Sequence, residues 1–180
     1  MVGDRRAWAD ALEEHEAVLR AYVARANAVP DERWTMPVPA GKWSAAEEAL
    51  HIVLAYEQGL PIATDGGGMR LVSSPIAAWF ARTLYLPIML RTRTFPRNAP
   101  APREVRPDAA AARAIPRSQL LSRLEATAGS AANALHDAAH RTPEVRVMHA
   151  YFGALTPLTA LRLLNAHTRH HTGLSARHAA

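Results

Sequence analysis

Thr156-Pro-Leu-Thr-Ala-Leu-Arg-Leu-Leu-Asn-Ala-His-Thr-Arg-His-His171 decides the fold class. A threonine that can cap free amides, followed by proline at the first helical position, opens a helix. Leu158, Leu161, Leu164, His167 and His171 then recur at helical spacing and share one face. His167 and His171 stand one turn apart on that face, the spacing with which two imidazoles grip one divalent ion. Two ligands do not close a site. The third candidate is His51, far away in sequence but inside a second helical pattern that follows Trp43-Ser44.

That second pattern carries its own start signal. Ser44 and Glu47 form the Ser-x-x-Glu capping box, and the helix runs through Leu50, His51, Val53, Leu54 and Glu57 to about residue 60. Residues 4–28 carry a helical stripe of Trp8, Leu12, Val18, Leu19, Tyr22 and Val23, with charges opposite. A further helix is expected over 75–91, kinked or broken near Pro87, and another over 117–139 through Leu120, Leu121, Leu124, Ala128 and Leu135. The connections are a proline-bearing loop over 29–42, a flexible Asp65-Gly-Gly-Gly68 turn, and an extended stretch over 95–107 that continues through 109–115. After the Thr142-Pro143 break, His149-Ala-Tyr-Phe-Gly153 reads as a short turn. No alternating strand pattern competes. The expectation is one all-α domain over 1–180, a four-helix bundle with extra short helices and proline-rich connections.

Composition removes several function classes. The chain has no cysteine, which excludes disulfides, thiolate metal sites and a catalytic thiol of its own; any thiol chemistry needs a thiol from outside. Met1-Val-Gly-Asp-Arg-Arg leads into a charged pattern and not an apolar signal region. The longest apolar stretch, 71–90, is interrupted by Pro75, Arg82 and Pro87 and reads as a buried helix rather than a membrane span. The expected setting is therefore cytoplasmic, with no membrane partner. The net charge of +5 comes almost wholly from arginine, Lys42 being the only lysine, and alanine is abundant. Such usage fits a GC-rich coding bias. Nine arginines fall between Arg82 and Arg123 against Glu104 and Asp108, but aromatic residues are not interleaved with them as base-stacking platforms require. We read a solvated surface there, not a nucleic-acid interface.

Three stretches resemble one family. Gly41-Lys-Trp-Ser-Ala-Ala-Glu-Glu-Ala-Leu-His51 resembles the Trp-Ser-x-x-Glu-x-x-x-His segment of the DinB-like superfamily. His167-Thr-Arg-His-His171 resembles its C-terminal His-x-x-x-His helix, and His149-Ala-Tyr-Phe-Gly-Ala-Leu-Thr156 is similar to the His-Pro-x-Phe-Gly-x-Leu-Thr stretch that precedes that helix. The resemblance runs from the first helix to about residue 174. It implies an up-down-down-up bundle, often dimeric, whose core holds a divalent metal on three histidines; His51, His167 and His171 fall on those positions. Two departures stand out. Thr172-Gly173-Leu174 replaces the family's Arg-Gly-Gln, and Ala150 replaces proline before the Phe-Gly turn.

The residues bear their own chemical reading. Three neutral imidazoles suit zinc, nickel, iron(II) or manganese and leave at least one coordination position open. A lone His-x-x-x-His in a chain with nine histidines is more often an ordinary helix-face pair; His51 in its capped helix tips the balance. His170 sits about 100° from His171 around the helix, so it supports rather than ligates. Glu47 lies one turn before His51 and can orient its imidazole, although the capping box explains it without chemistry. Glu57 is about 120° off the metal-facing stripe. Trp43 packs the entry of the second helix or walls the pocket. His149 either approaches the pocket or stabilises the turn; Tyr151 and Phe152 read as core anchors. No Ser-His-Asp order, phosphate loop or paired-carboxylate signature is present.

For some relatives the resemblance implies a metal-dependent transferase that joins a low-molecular-weight thiol to an electrophile. The alternatives are metal-assisted hydrolysis at the same site, and a non-catalytic, metal-binding or stress-related helical protein. The expected partners are a small-molecule substrate and a second copy of the chain.

Overall fold

The terminal helix begins where its sequence places it: the Thr156 hydroxyl accepts the Thr159 amide at 3.2 Å, and the helix runs over Pro157–Ala179. The computed structural model describes residues 2–37, 42–58, 69–92, 95, 100–142 and 144–179, with side chains over 4–173 of these. Among the described residues the helices are α1 (Val2–Asn27), α2 (Asp31–Trp34), α3 (Ala45–Glu57), α4 (Pro75–Phe80), α5 (Leu86–Thr92), α6 (Ala109–Ala114), α7 (Arg117–Arg141) and α8 (Pro157–Ala179). A π turn, Ala81–Tyr85, joins α4 to α5, and a 3₁₀ turn spans Arg103–Val105. The described residues are all-α apart from one small hairpin, β1 (Val147–His149) against β2 (Gly153–Leu155).

Four helices build the bundle. α1 packs along α8 and α3 along α7, and α7 meets α8 between the two pairs. Their directions follow from side-chain contacts. Trp8, near the start of α1, shares a core cluster with Phe152, Leu155 and Leu161 at the entry of α8, and further along Arg169 pairs with Glu14; α1 and α8 are parallel. Arg117, at the start of α7, stacks 4.6 Å over Trp34 and donates to the Asn27 carbonyl at the end of α1, so α7 runs back. Ala45 and Ala46, at the start of α3, join the cluster that holds Trp34, while Arg123 pairs with Glu57 at the other end of α3. The order is up-down-down-up.

Burial of apolar side chains drives this packing. One cluster joins Tyr22, Ile52, Tyr56, Leu120 and Leu124; a second joins Trp8, Leu135, Phe152 and Leu161; Leu164 packs against both. A buried polar link ties α1 to α8 and α7. His15 meets Asn165 Oδ1 at 2.9 Å and the Ala128 carbonyl at 3.2 Å, and Asn165 Nδ2 donates to the Ala11 carbonyl at 2.9 Å.

Several connections differ from their expected form. Residues 109–115 are not extended: Asp108 Oδ1 accepts the Ala111 amide at 2.7 Å and opens the alanine-rich α6. The 29–42 loop contains α2, which buries Trp34. The turn over 149–153 is the tip of the hairpin, whose register pairs Val147 with Leu155. Amides of Met69 and Val72 extend it by donating to the Met148 and Ala150 carbonyls. Gly153, at φ 66, supplies a left-handed residue that a side chain would strain. The helix does not break at Pro87; the π turn precedes it and widens the spiral where the proline ring would meet a carbonyl one turn back. The Asp65-Gly-Gly-Gly68 turn lies outside the described residues. Among the described residues no helix is long and apolar enough to cross a membrane.

Candidate metal centre

The capping box forms as the sequence requires. Ser44 Oγ accepts the Glu47 amide at 3.2 Å, and the Ser44 amide and hydroxyl donate to Glu47 Oε2 at 2.9 and 2.8 Å. This fixes the phase of α3 and turns His51 into the core, facing His167 and His171 from α8. His51 and His171 are buried; His167 is partly exposed. One nitrogen of each ring falls within 4.8 Å of the others. His51 Nε2 and His167 Nε2 are 3.0 Å apart. That is a hydrogen-bond distance; two imidazoles on one tetrahedral ion at about 2.1 Å have nitrogens about 3.4 Å apart, so a small separation of this pair gives the span of a chelate.

The proton inventory supports the same use. His51 Nδ1 donates to the Val105 carbonyl at 2.6 Å, which puts the proton on Nδ1 and leaves Nε2 as a lone pair. His171 Nδ1 is buried without a hydrogen-bond partner, a cost that a cation can remove. Burial lowers the His51 pKa, against the raising effect of the Val105 carbonyl. Burial first, then neighbouring histidines, hold His167 and His171 well below the ordinary range. All three are neutral at pH 7, the form that binds metal. The arrangement can hold a divalent cation.

The surrounding residues divide clearly. Trp43 lies 4.7 Å from the His51 ring and walls the pocket. Phe95 lies 5.3 Å from His167 and 5.4 Å from His170. His170 faces the cluster edge-on to His171 at 5.4 Å; its nitrogens are outside the triad. Glu47 is occupied at the cap. Glu57 pairs with Arg123. His149 is a turn stabiliser: its Nδ1 accepts the amides of Tyr151 and Phe152 at 3.2 and 3.3 Å, and its ring stacks on Phe152. It is still close enough to His167 to depress its pKa. Sequence reasoning missed the Val105 carbonyl and Phe95. Both lie on the proline-rich connection, where no periodicity predicts which group turns inward.

The profile of the DinB superfamily matches residues 11–175, a span containing all three histidines. The chain belongs to the DinB superfamily. No curated protein and no solved structure matches it. Two DinB departures now have a place: Ala150 is fully buried in the hairpin tip with its carbonyl paired to Val72, and Thr172, where the family has arginine, is partly buried and donates its hydroxyl to the Thr168 carbonyl at 3.0 Å.

Proposed function

We propose that this DinB-superfamily chain is a metal-dependent thiol S-transferase whose ion is held by His51, His167 and His171. The observation that carries the reading is the convergence of three neutral, largely buried imidazoles with their nitrogens within 4.8 Å. A divalent ion bound there supplies Lewis acidity that lowers the pKa of a thiol or water taken up at an open position.

The chain's own residues do the rest. The Val105 carbonyl fixes the tautomer and ring orientation of His51. Trp43 and Phe95 exclude water from two sides, and His167 marks the partly exposed approach. Glu47 supports the centre by fixing the phase of α3, His149 by holding the turn beside it, and His170 by packing on Phe95 and His171. In this reading the sulfur donor is an external low-molecular-weight thiol, with which a chain lacking cysteine is compatible, and the acceptor is a small electrophile. A cytoplasmic setting, where small thiols are kept reduced, suits this chemistry. The working unit is a homodimer.

The test starts with elemental analysis of untagged protein, expected to give about one zinc, nickel, iron or manganese per chain. Metal-loaded protein is then offered small thiols with a chromogenic electrophile. Turnover should fall to background in His51→Ala and His171→Ala. Activity unchanged by either substitution refutes the mechanism; hydrolysis of ester or amide substrates without thiol transfer replaces it with metal-assisted hydrolysis. A full metal complement with neither activity leaves a metal-binding protein.

A further inference from the structure

The helical run of α4, the π turn and α5 is apolar on both sides. Ala78, Leu86 and Met89 are buried against the bundle. On the other side Ile76, Trp79, Phe80, Leu84, Tyr85 and Ile88, with Val72 just before them, are each between 44 % and 71 % exposed. Soluble monomers rarely leave so many large apolar residues contiguous in water. A helix apolar all round belongs in an interior.

The π turn is what makes the outer face continuous. In an uninterrupted α-helix Tyr85 would fall about 180° from Ile76, on the bundle side, and Leu86 about 80° from Ala78. The one residue absorbed by the π turn carries Tyr85 back to about 80° from Ile76 and brings Leu86 to within about 20° of Ala78. All six outward side chains then lie on one half of the helix, and the buried ones on the other. The ridge itself is free of charge. The single charged residue between 72 and 90, Arg82, turns inward and donates to the Ala154 carbonyl at 3.0 Å.

We infer that this ridge is the face on which a second copy of the chain docks. Taking about 200 Å² for a fully exposed large apolar residue, the seven residues offer about 800 Å², what each partner contributes to a standard stable interface. The aromatic, charge-depleted make-up is that of an interface centre. A two-fold pairing needs only that the same patch meet itself, and a smooth i, i+4 row of Ile76, Phe80, Leu84 and Ile88 can pack into its own copy. A lipid surface fits less well. Helices that lie on membranes show a basic polar face opposite the apolar one, and here the opposite face is packed on the bundle.

This identification rests on the homodimer proposed above and is independent of the metal centre. The 180-residue chain should sediment at twice 19.6 kDa at micromolar concentration. Leu84→Glu with Ile88→Glu, both at solvent-facing positions, should shift it to 19.6 kDa with unchanged helical circular dichroism, while Arg20→Glu on α1 leaves it dimeric. If the double variant does not fold, Trp79→Ser alone is measured for an at least tenfold weaker dimer. A monomeric wild type overturns both the dimer and this face. A dimer that survives the substitutions overturns the face alone. A monomeric wild type that co-sediments with anionic phosphatidylglycerol vesicles replaces the second copy with a lipid surface.

Discussion

Replacing His149 by asparagine should flatten the acid limb of the stability curve by about one proton. Burial pushes the His149 pKa down to about 4, and its Nδ1 accepts two amides that leave no room for a proton. In the unfolded chain the same histidine titrates near 6.5 (roughly the model-peptide value). Between these values the unfolded state binds the proton and the folded state does not, so stability falls as pH falls. The contribution is fully present above about pH 6.5 and lost progressively down to about pH 4. Across that gap it amounts to about 3 kcal/mol, of which about 2 kcal/mol is gone by pH 5. Asparagine can accept the same amides through its carbonyl oxygen and does not titrate. The assay is urea unfolding by circular dichroism at half-unit steps from pH 8 to 5, on chelator-treated protein. His51 and His171 shift in the same direction, steepen both curves alike and cancel in the comparison; His167, which His149 itself helps to depress, is relieved in the variant and flattens its curve further in the predicted direction. Between pH 6 and 5 the wild type should lose about 1 kcal/mol more than His149→Asn. Parallel curves, whatever their constant offset, refute the argument.

Three further outcomes follow from the same contacts. Saturating the centre with its ion at one hundred times Kd adds about 2.7 kcal/mol, a rise of about 5–10 °C in Tm for a chain of this size; a chelator should reverse it in a scanning calorimeter. Asn165→Ala leaves the Ala11 carbonyl and His15 Nδ1 unpaired inside the bundle and should cost about 3 kcal/mol in urea unfolding. Ser44→Ala removes the cap of α3 and should cost about 1 kcal/mol in urea unfolding.

The parts that could be read from sequence are those governed by local rules. Ser44 with Glu47, and Thr156 with Pro157, start their helices where side-chain capping predicts, and four-residue spacing puts His167 and His171 on one face of α8. His51 was reachable because its helix phase is set by the cap seven residues earlier. Groups that act through the backbone were not legible. The Val105 carbonyl orients His51 only because a proline-rich connection passes over α3, and the two amides on His149 exist only once the hairpin closes. The π turn was also hidden. Pro87 signalled a disturbance, but its form depends on which side chains must face the bundle.

Alanine, which composition alone traces to coding bias, takes on another meaning at the α3–α7 contact. Ala46 and Ala49 of α3 and Ala128 and Ala131 of α7 are fully buried in the one cluster that the two helices share. Methyl-sized contacts let helix axes approach toward the short end of the usual 8–10 Å range, and such side chains have no rotamers through which to absorb a larger neighbour. These alanines therefore act as a gauge for the jaw that His51 closes on α8. Enlarging one, as in Ala49→Val, should widen that jaw and weaken ion affinity before it unfolds the chain, which titrating the ion and urea on the same variant would separate. The spacing of the three imidazoles is set by residues that lie outside their cluster.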